Sequence, residues 1–144
     1  MNQVKPSATY QSKLNKIPGK RYQEIERVAR RTYNDIARKS KRNPYLRSCY
    51  FGGDKIFLKL FWEHLNQKPR KERKARLKYY LSALDLLQNT SSAPSSKPNP
   101  NRNKEILHRF AGKTATGDYF YVQVKEDLRT GNKHFMSVFP APKK

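Results

Sequence analysis

A single cysteine, Cys49, stands in 144 residues, so neither an intrachain disulfide nor a Cys-based zinc site can form. No apolar run approaches the roughly 20 residues that a helix needs to cross a bilayer. The opening stretch, MNQVKPSATYQSKLNKIPG, has no apolar centre of the kind a secretory signal carries. These absences lead to the expectation of a cytoplasmic chain that does not associate with membrane. There is no P-loop, no Gly-rich dinucleotide turn and no Ser-elbow motif. No Asp/Glu/His cluster has metal-ligand spacing, so neither a metal nor a cofactor is expected. Acidic residues are scarce, 11 against 32 Lys plus Arg, for a net charge of +21.

That imbalance carries a cost in self-repulsion and attracts polyanions. The basic residues run through the whole chain instead of forming one lysine-rich tail beside an apolar anchor, which points to nucleic acid over lipid. RNA is the expected partner, ahead of DNA. Aromatic residues make up 12% of the chain, with nine Tyr and seven Phe. A merely disordered basic protein has no use for so many.

Residues 1–19 read as a flexible basic arm, 20–89 as a helical basic region, 90–103 as a Pro/Ser/Asn linker and 104–144 as a β-meander. The expected fold class is α+β: about three N-terminal helices, then a small antiparallel meander packed on them, with 20–144 as one compact domain. From Arg21 to Arg38, Tyr22, Ile25, Val28, Ala29, Thr32 and Ile36 recur at helical spacing. A connector follows at 43–54, with room for a short strand between Tyr45 and Phe51, and Asp54 suits the N-cap of a second helix. That helix, KIFLKLFWEHLNQ, is apolar on more than one face and should be central. A His beside a Glu on such a helix, as His64 and Glu63 are, is usually structural. Pro69 fits the first turn of a third helix, which starts with Lys68, Arg70, Lys71, Arg73, Lys74, Arg76 and Lys78 against Glu72 alone. Cations crowded at a helix N-terminus repel one another and oppose the dipole, and a phosphate backbone would compensate them.

The meander, ILHRFAGKTATGDYFYVQVKEDLRTGNKHFMSVF, shows three aromatic and β-branched runs divided by two Gly-containing turns. Pairing Gly112 with Tyr119 and Asp127 with Lys133 sets His108, Gln123 and Ser137 in one row. Lys125, Tyr121, Phe110, Phe135 and Phe139 then flank that row. The opposite face carries Leu107, Ala111, Phe120, Val122, Val124, Met136 and Val138 as core. The first face suits stacking of unpaired bases and gripping of phosphates. Phe110, Phe135 and Phe139 would equally serve as core beneath a second helix.

RNA cleavage needs no metal when the substrate's 2′-hydroxyl attacks: a base takes its proton and cations stabilise the phosphorane. His108 is the expected proton carrier, with Lys125 or Arg109 beside the phosphate and Ser137 hydrogen-bonding it. Lys113, Thr114, Tyr121, Gln123 and the helix cations Arg70, Lys71, Arg73, Lys74, Arg76 and Lys78 are expected to bind nucleic acid. His134, beside the second turn, reads as exposed and incidental.

The run HRFAGKT, then YFYVQVKED, then HFMSVFP resembles the barnase/EndoU/colicin/RelE-like nuclease superfamily, in its phage- and mobile-element-associated branch. The resemblance covers roughly the last quarter of the chain. It implies helices ahead of a β-meander and a first-strand His paired with a last-strand Ser or Thr, here His108 and Ser137, with Lys125 and Arg109 as basic partners. It also implies RNA cleavage, as a toxin. The acidic general base of barnase has no counterpart here. Two other functions fit the residues: a non-catalytic RNA- or DNA-binding module, and a structural or interaction protein whose charge meets an acidic protein such as an antitoxin or inhibitor.

Overall fold

A computed structural model describes residues 9–142. The elements in chain order are β1 (Tyr10–Gln11), α1 (Tyr22–Lys39), β2 (Tyr45–Arg47), β3 (Lys55–Phe57), α2 (Lys59–Asn66), α3 (Arg70–Leu77), α4 (Tyr80–Asn89), β4 (Ser95–Pro98), β5 (Glu105–Lys113), β6 (Tyr119–Asp127) and β7 (Lys133–Pro140). The described residues are α+β, with four helices and one mixed seven-stranded sheet. The expected three-stranded meander is its centre, β5-β6-β7. On one side β3 joins β7 in parallel and β2 joins β3; on the other, β1 (parallel) and β4 (antiparallel) both pair with β5. The sheet is therefore not a simple antiparallel meander, and strands precede and divide the helices.

Several local differences have plain causes. Residues 55–57 extend a strand where helix was expected, because Ile56 pairs Leu46 on one side and Lys133 on the other. The turn between β2 and β3 uses Gly52 and Gly53 at φ +67 and +94, which Cβ-bearing residues seldom adopt. Asp54 caps no helix: it accepts a hydrogen bond from Lys133 Nζ at 2.9 Å. The long third helix breaks at Lys78–Tyr79 into α3 and α4. Adjacent Tyr79 and Tyr80 are both buried, and the break lets them reach different partners. Tyr79 lies 5.4 Å from Phe120 and Tyr80 lies 5.0 Å from Phe61. The freed Lys78 carbonyl accepts the Ile17 N–H at 2.8 Å.

The arm and the linker are built in where they are described. Ile17 is fully buried, and Ser12 Oγ donates to Asp85 at 2.7 Å; residues 1–8 of the expected arm lie outside the described residues. The Pro/Ser/Asn stretch supplies β4. Prolines such as Pro98 are tolerated on an edge strand, whose outward N–H groups have no partner to lose. Helix α1 matches its expected span, with Ile25 and Ala29 buried and the Arg21 N–H donating to Glu24 at 3.0 Å.

The register of the meander differs from expectation by one residue at both turns. The Thr114 N–H donates to the Asp118 carbonyl, closing the first hairpin at Lys113 opposite Tyr119. His108 therefore stands opposite Val124, not Gln123. The second hairpin pairs Glu126 with Lys133, and a bulge between Gln123 and Val124 absorbs Met136, so Gln123 opposite Ser137 and Tyr121 opposite Phe139 stand as expected. A one-residue slip exchanges faces. His108, Phe110 and Phe135 thus turn to the core beside Phe120, Val122, Val124 and Val138, while Leu107 and Ala111 turn away from it.

The core face closes on the helices. Phe135 stacks on Phe61 of α2, with centroids 4.7 Å apart and planes 12° from parallel. Gly112 admits Phe120 and Leu86: a Cβ there would lie 2.6 and 2.7 Å from their ring and methyl carbons. Both neighbours are wholly buried. Gly112→Ala is expected to cost about 1–3 kcal/mol by overpacking, read as a lowered urea midpoint at unchanged slope.

Candidate nucleic-acid interface

Paired residues of neighbouring strands share a sheet face, so the register fixes what the open side of the sheet carries. One row runs Lys97, Leu107, Lys125, His134, Phe57, Tyr45 across β4, β5, β6, β7, β3 and β2. The next runs Ser95, Arg109, Gln123, Ser137, and a third Ala111, Tyr121, Phe139. These rows bring together Arg109, Lys125, Ser137, Tyr121 and Gln123 from the expected site. His108 is absent from them.

Cations and rings interleave on this face. The Arg109 guanidinium lies 5.4 Å from the Tyr121 ring centroid and 5.2 Å from that of Phe139, and it donates to Gln123 Oε1 at 3.3 Å. Arg76 reaches Phe139 from α3 at 5.4 Å. Lys55 and Arg47 lie 4.6 and 5.6 Å from the Tyr45 ring, and His134 lies 5.6 Å from Phe57. Lys125 is 3.6 Å from Glu105, an ion pair whose acidic member is the more buried.

Where β7 runs past the end of β3, helices α2 and α3 take its side. Phe61, His64, Leu65, Arg76, Met136 and Ser137 close on one another there in a tight cleft that leaves no room for a water molecule. Its position follows from helix spacing: Phe61 and Leu65 enter the core, and His64, three residues after Phe61, falls on the boundary stripe. Arg76 is held in place by Glu72, which accepts from its Nε and Nη2 at 3.2 and 2.8 Å. Burial holds the His64 pKa below its ordinary 6.5, and the nearby cations Lys68, Lys125 and Arg76 push the same way against Glu63. His134 is also lowered, by burial first and then by Lys125, against Asp127 and Glu105. Lys125 thus acts on two imidazoles, neither of which sequence reasoning selected. The signal was there for His64: a polar residue at the edge of an apolar helical stripe, with Lys68 one turn on.

The remaining expected residues are dispersed. Thr114 is buried, and its Oγ1 accepts the Asp118 N–H at 2.9 Å, closing the turn and facing no ligand surface. Lys113 lies 5.6 Å from the half-exposed Tyr119 ring. On α3, Arg70 lies 6.0 Å from Tyr22, Arg73 Nε donates to the Lys68 carbonyl at 2.8 Å, and Lys71 is exposed. Lys74 and Lys78 are half-buried. With Arg76 they carry positive charge from the open sheet face along α3.

His108 lies on the core side. Its Nδ1 is 2.7 Å from Ser96 Oγ, its Nε2 2.8 Å from Glu126 Oε1, and its ring edge meets Phe51 at 5.1 Å. Among the described residues no group of three His, Cys, Asp or Glu side chains could hold a metal ion. No helix among them is long and apolar enough to cross a membrane. No family model, no curated protein and no solved structure matches this chain.

Proposed function

We propose that the chain binds single-stranded RNA across the open sheet face and cleaves it, without a metal, at the edge of that face, beside half-buried His64 where α2 and α3 meet β7. One observation carries this reading. Ser137 belongs both to the cleft with His64 and Arg76 and to the row with Gln123 and Arg109. A strand held on the face therefore passes His64, the imidazole that feels three cations, Lys68, Lys125 and Arg76. His64, kept neutral at neutral pH by burial and by those cations, takes the proton of the attacking 2′-hydroxyl. Arg76 and Lys125 stabilise the negative charge that develops on the phosphorane, and Ser137 Oγ hydrogen-bonds it. The same imidazole, once protonated, can return the proton to the departing 5′-oxygen. The resemblance of the C-terminal runs to a nuclease superfamily supports the same chemistry, with the proton carrier on α2 instead of on the first meander strand. Wild-type protein in EDTA should cut a labelled single-stranded RNA, and intact RNA would reject the cleavage step.

The second reading is binding alone, favoured by the density of rings and cations on the face. Stacking of one base on an aromatic side chain contributes about 1–3 kcal/mol. Tyr121→Ala should therefore weaken single-stranded RNA binding by roughly 5- to 150-fold, measured by fluorescence anisotropy at fixed salt. Unchanged affinity would remove the sheet face from the interface. Binding without cleavage in the wild type would favour this second reading.

A further inference from the structure

Away from the RNA-binding face, one cluster of polar side chains is arranged for different chemistry. Ser96 on β4 and His108 on β5 are cross-strand partners, and the His108 ring is bracketed by Ser96 Oγ at Nδ1 and by Glu126 Oε1 at Nε2. The tautomer follows from the partners. An ionised carboxylate only accepts, so Nε2 carries the proton and donates to Glu126. Nδ1 is then the lone-pair nitrogen, and the Ser96 hydroxyl donates to it.

The acid is itself held. Glu126 Oε2 lies 3.7 Å from Lys133 Nζ, which binds Asp54 at 2.9 Å, and Phe51 fixes the edge of the imidazole. His108 and Lys133 are buried while Ser96 is exposed. The serine therefore lies at the surface, while the imidazole that its hydroxyl touches is buried behind it. A nucleophile touching a base whose far nitrogen is oriented by a carboxylate is the arrangement that activates a serine. Among the described residues strand β4 pairs with β5 alone, so its other edge has no strand partner.

We propose that Ser96 is an activated nucleophile, with His108 as its base and Glu126 as the residue that positions the base, and that it accepts acyl groups from carboxylic esters. In the reaction Ser96 Oγ bonds to the ester carbonyl carbon and its proton passes to His108 Nδ1. The bond from carbon to the alkoxy oxygen breaks, and that oxygen leaves as the alcohol with the proton from Nδ1. Water then attacks the acyl-serine, passes a proton to Nδ1, and the carboxylic acid departs as Ser96 Oγ regains its proton. This site shares no residue with the His64 cleft, so neither depends on the other.

A fluorophosphonate probe on the full chain tests the assignment, since it forms an oxygen–phosphorus bond with an activated serine and expels fluoride. Peptide mapping should find the adduct on Ser96 and not on the adjacent Ser95, which has no imidazole partner. Ser96→Ala should abolish the adduct and leave RNA cleavage unchanged. Glu126→Gln, which keeps the side-chain shape, should slow labelling by about 10²-fold or more. The proposal is overturned if folded wild-type protein carries no Ser96 adduct, if Ser95 and Ser96 react alike, or if folded Glu126→Gln labels at the wild-type rate.

Discussion

His64→Ala is expected to lower RNA cleavage by about 10²–10⁴-fold, the range that a positioned proton carrier contributes, while RNA affinity stays close to that of the wild type. The split follows from where the residue sits. His64 is a half-buried member of a narrow cleft, whereas the rings and most of the cations that would hold the strand lie on other residues. A residue that only gripped RNA would change affinity and rate together. The pH profile gives a second signature. Because His64 is held below its ordinary 6.5, it stays an unprotonated base through neutral pH. Cleavage should fall on acidification with a midpoint below 6.5, and that limb should vanish in His64→Ala. Binding should move the other way, since protonating His64 and His134 adds charge that phosphate attracts.

The same shifts fix a sign for stability. For both histidines the folded form has the lower pKa, so the unfolded chain takes up protons first as pH falls. Their contribution leaves stability undiminished above about 6.5 and reduces it below, as the unfolded state is protonated ahead of the folded one.

Phe135→Ala is expected to destabilise the protein by about 3–5 kcal/mol, a large part of the roughly 5–15 kcal/mol typical of a domain. Phe135 is fully buried and stacked on Phe61, and Tyr80 lies 6.1 Å away. Phe61 in turn meets Trp62 at 5.2 Å and Tyr80 at 5.0 Å. Rings packed this closely on several sides cannot relax into the space that a missing ring leaves, so most of the cavity cost remains. Urea unfolding followed by Trp62 fluorescence measures it. The substitution also reaches the site, because Phe61 and His64 lie one turn apart on α2. Cleavage by the folded fraction should drop as the helix loses the stack that seats it. A loss below about 1 kcal/mol would mean that Phe135 is not the anchor of this helix.

The elements of this fold were far more legible than its register. Helix α1 and the three meander strands announced themselves by periodicity, since Ile25 and Ala29 or Val122 and Val124 can bury only one way. The face expected for His108 is reversed because the Thr114–Asp118 turn is one residue shorter than the pairing of Gly112 with Tyr119 requires, and turn length is set by hydrogen bonds that composition does not display. The bulge at Met136 then restored the expected partners of Gln123 and Tyr121. Strand β4 was hidden in a Pro- and Ser-rich stretch, because an edge strand needs little side-chain propensity once β5 offers its free edge. His64 shows in the sequence only as a polar residue at the edge of an apolar stripe, a signal too general to single it out from an ordinary structural histidine. Only the packing of α3 against β7 brings Arg76 and Ser137 to it.

Cleavage of a labelled single-stranded RNA in EDTA, with analysis of the new ends, tests the central claim most directly. The account predicts fragments that end in 2′,3′-cyclic phosphate. It also predicts no cut wherever the nucleotide on the 5′ side of the scissile phosphate is replaced by its 2′-deoxy form. RNA that is bound but left whole, cleavage that EDTA abolishes, or cutting that ignores the 2′-deoxy substitution would contradict it.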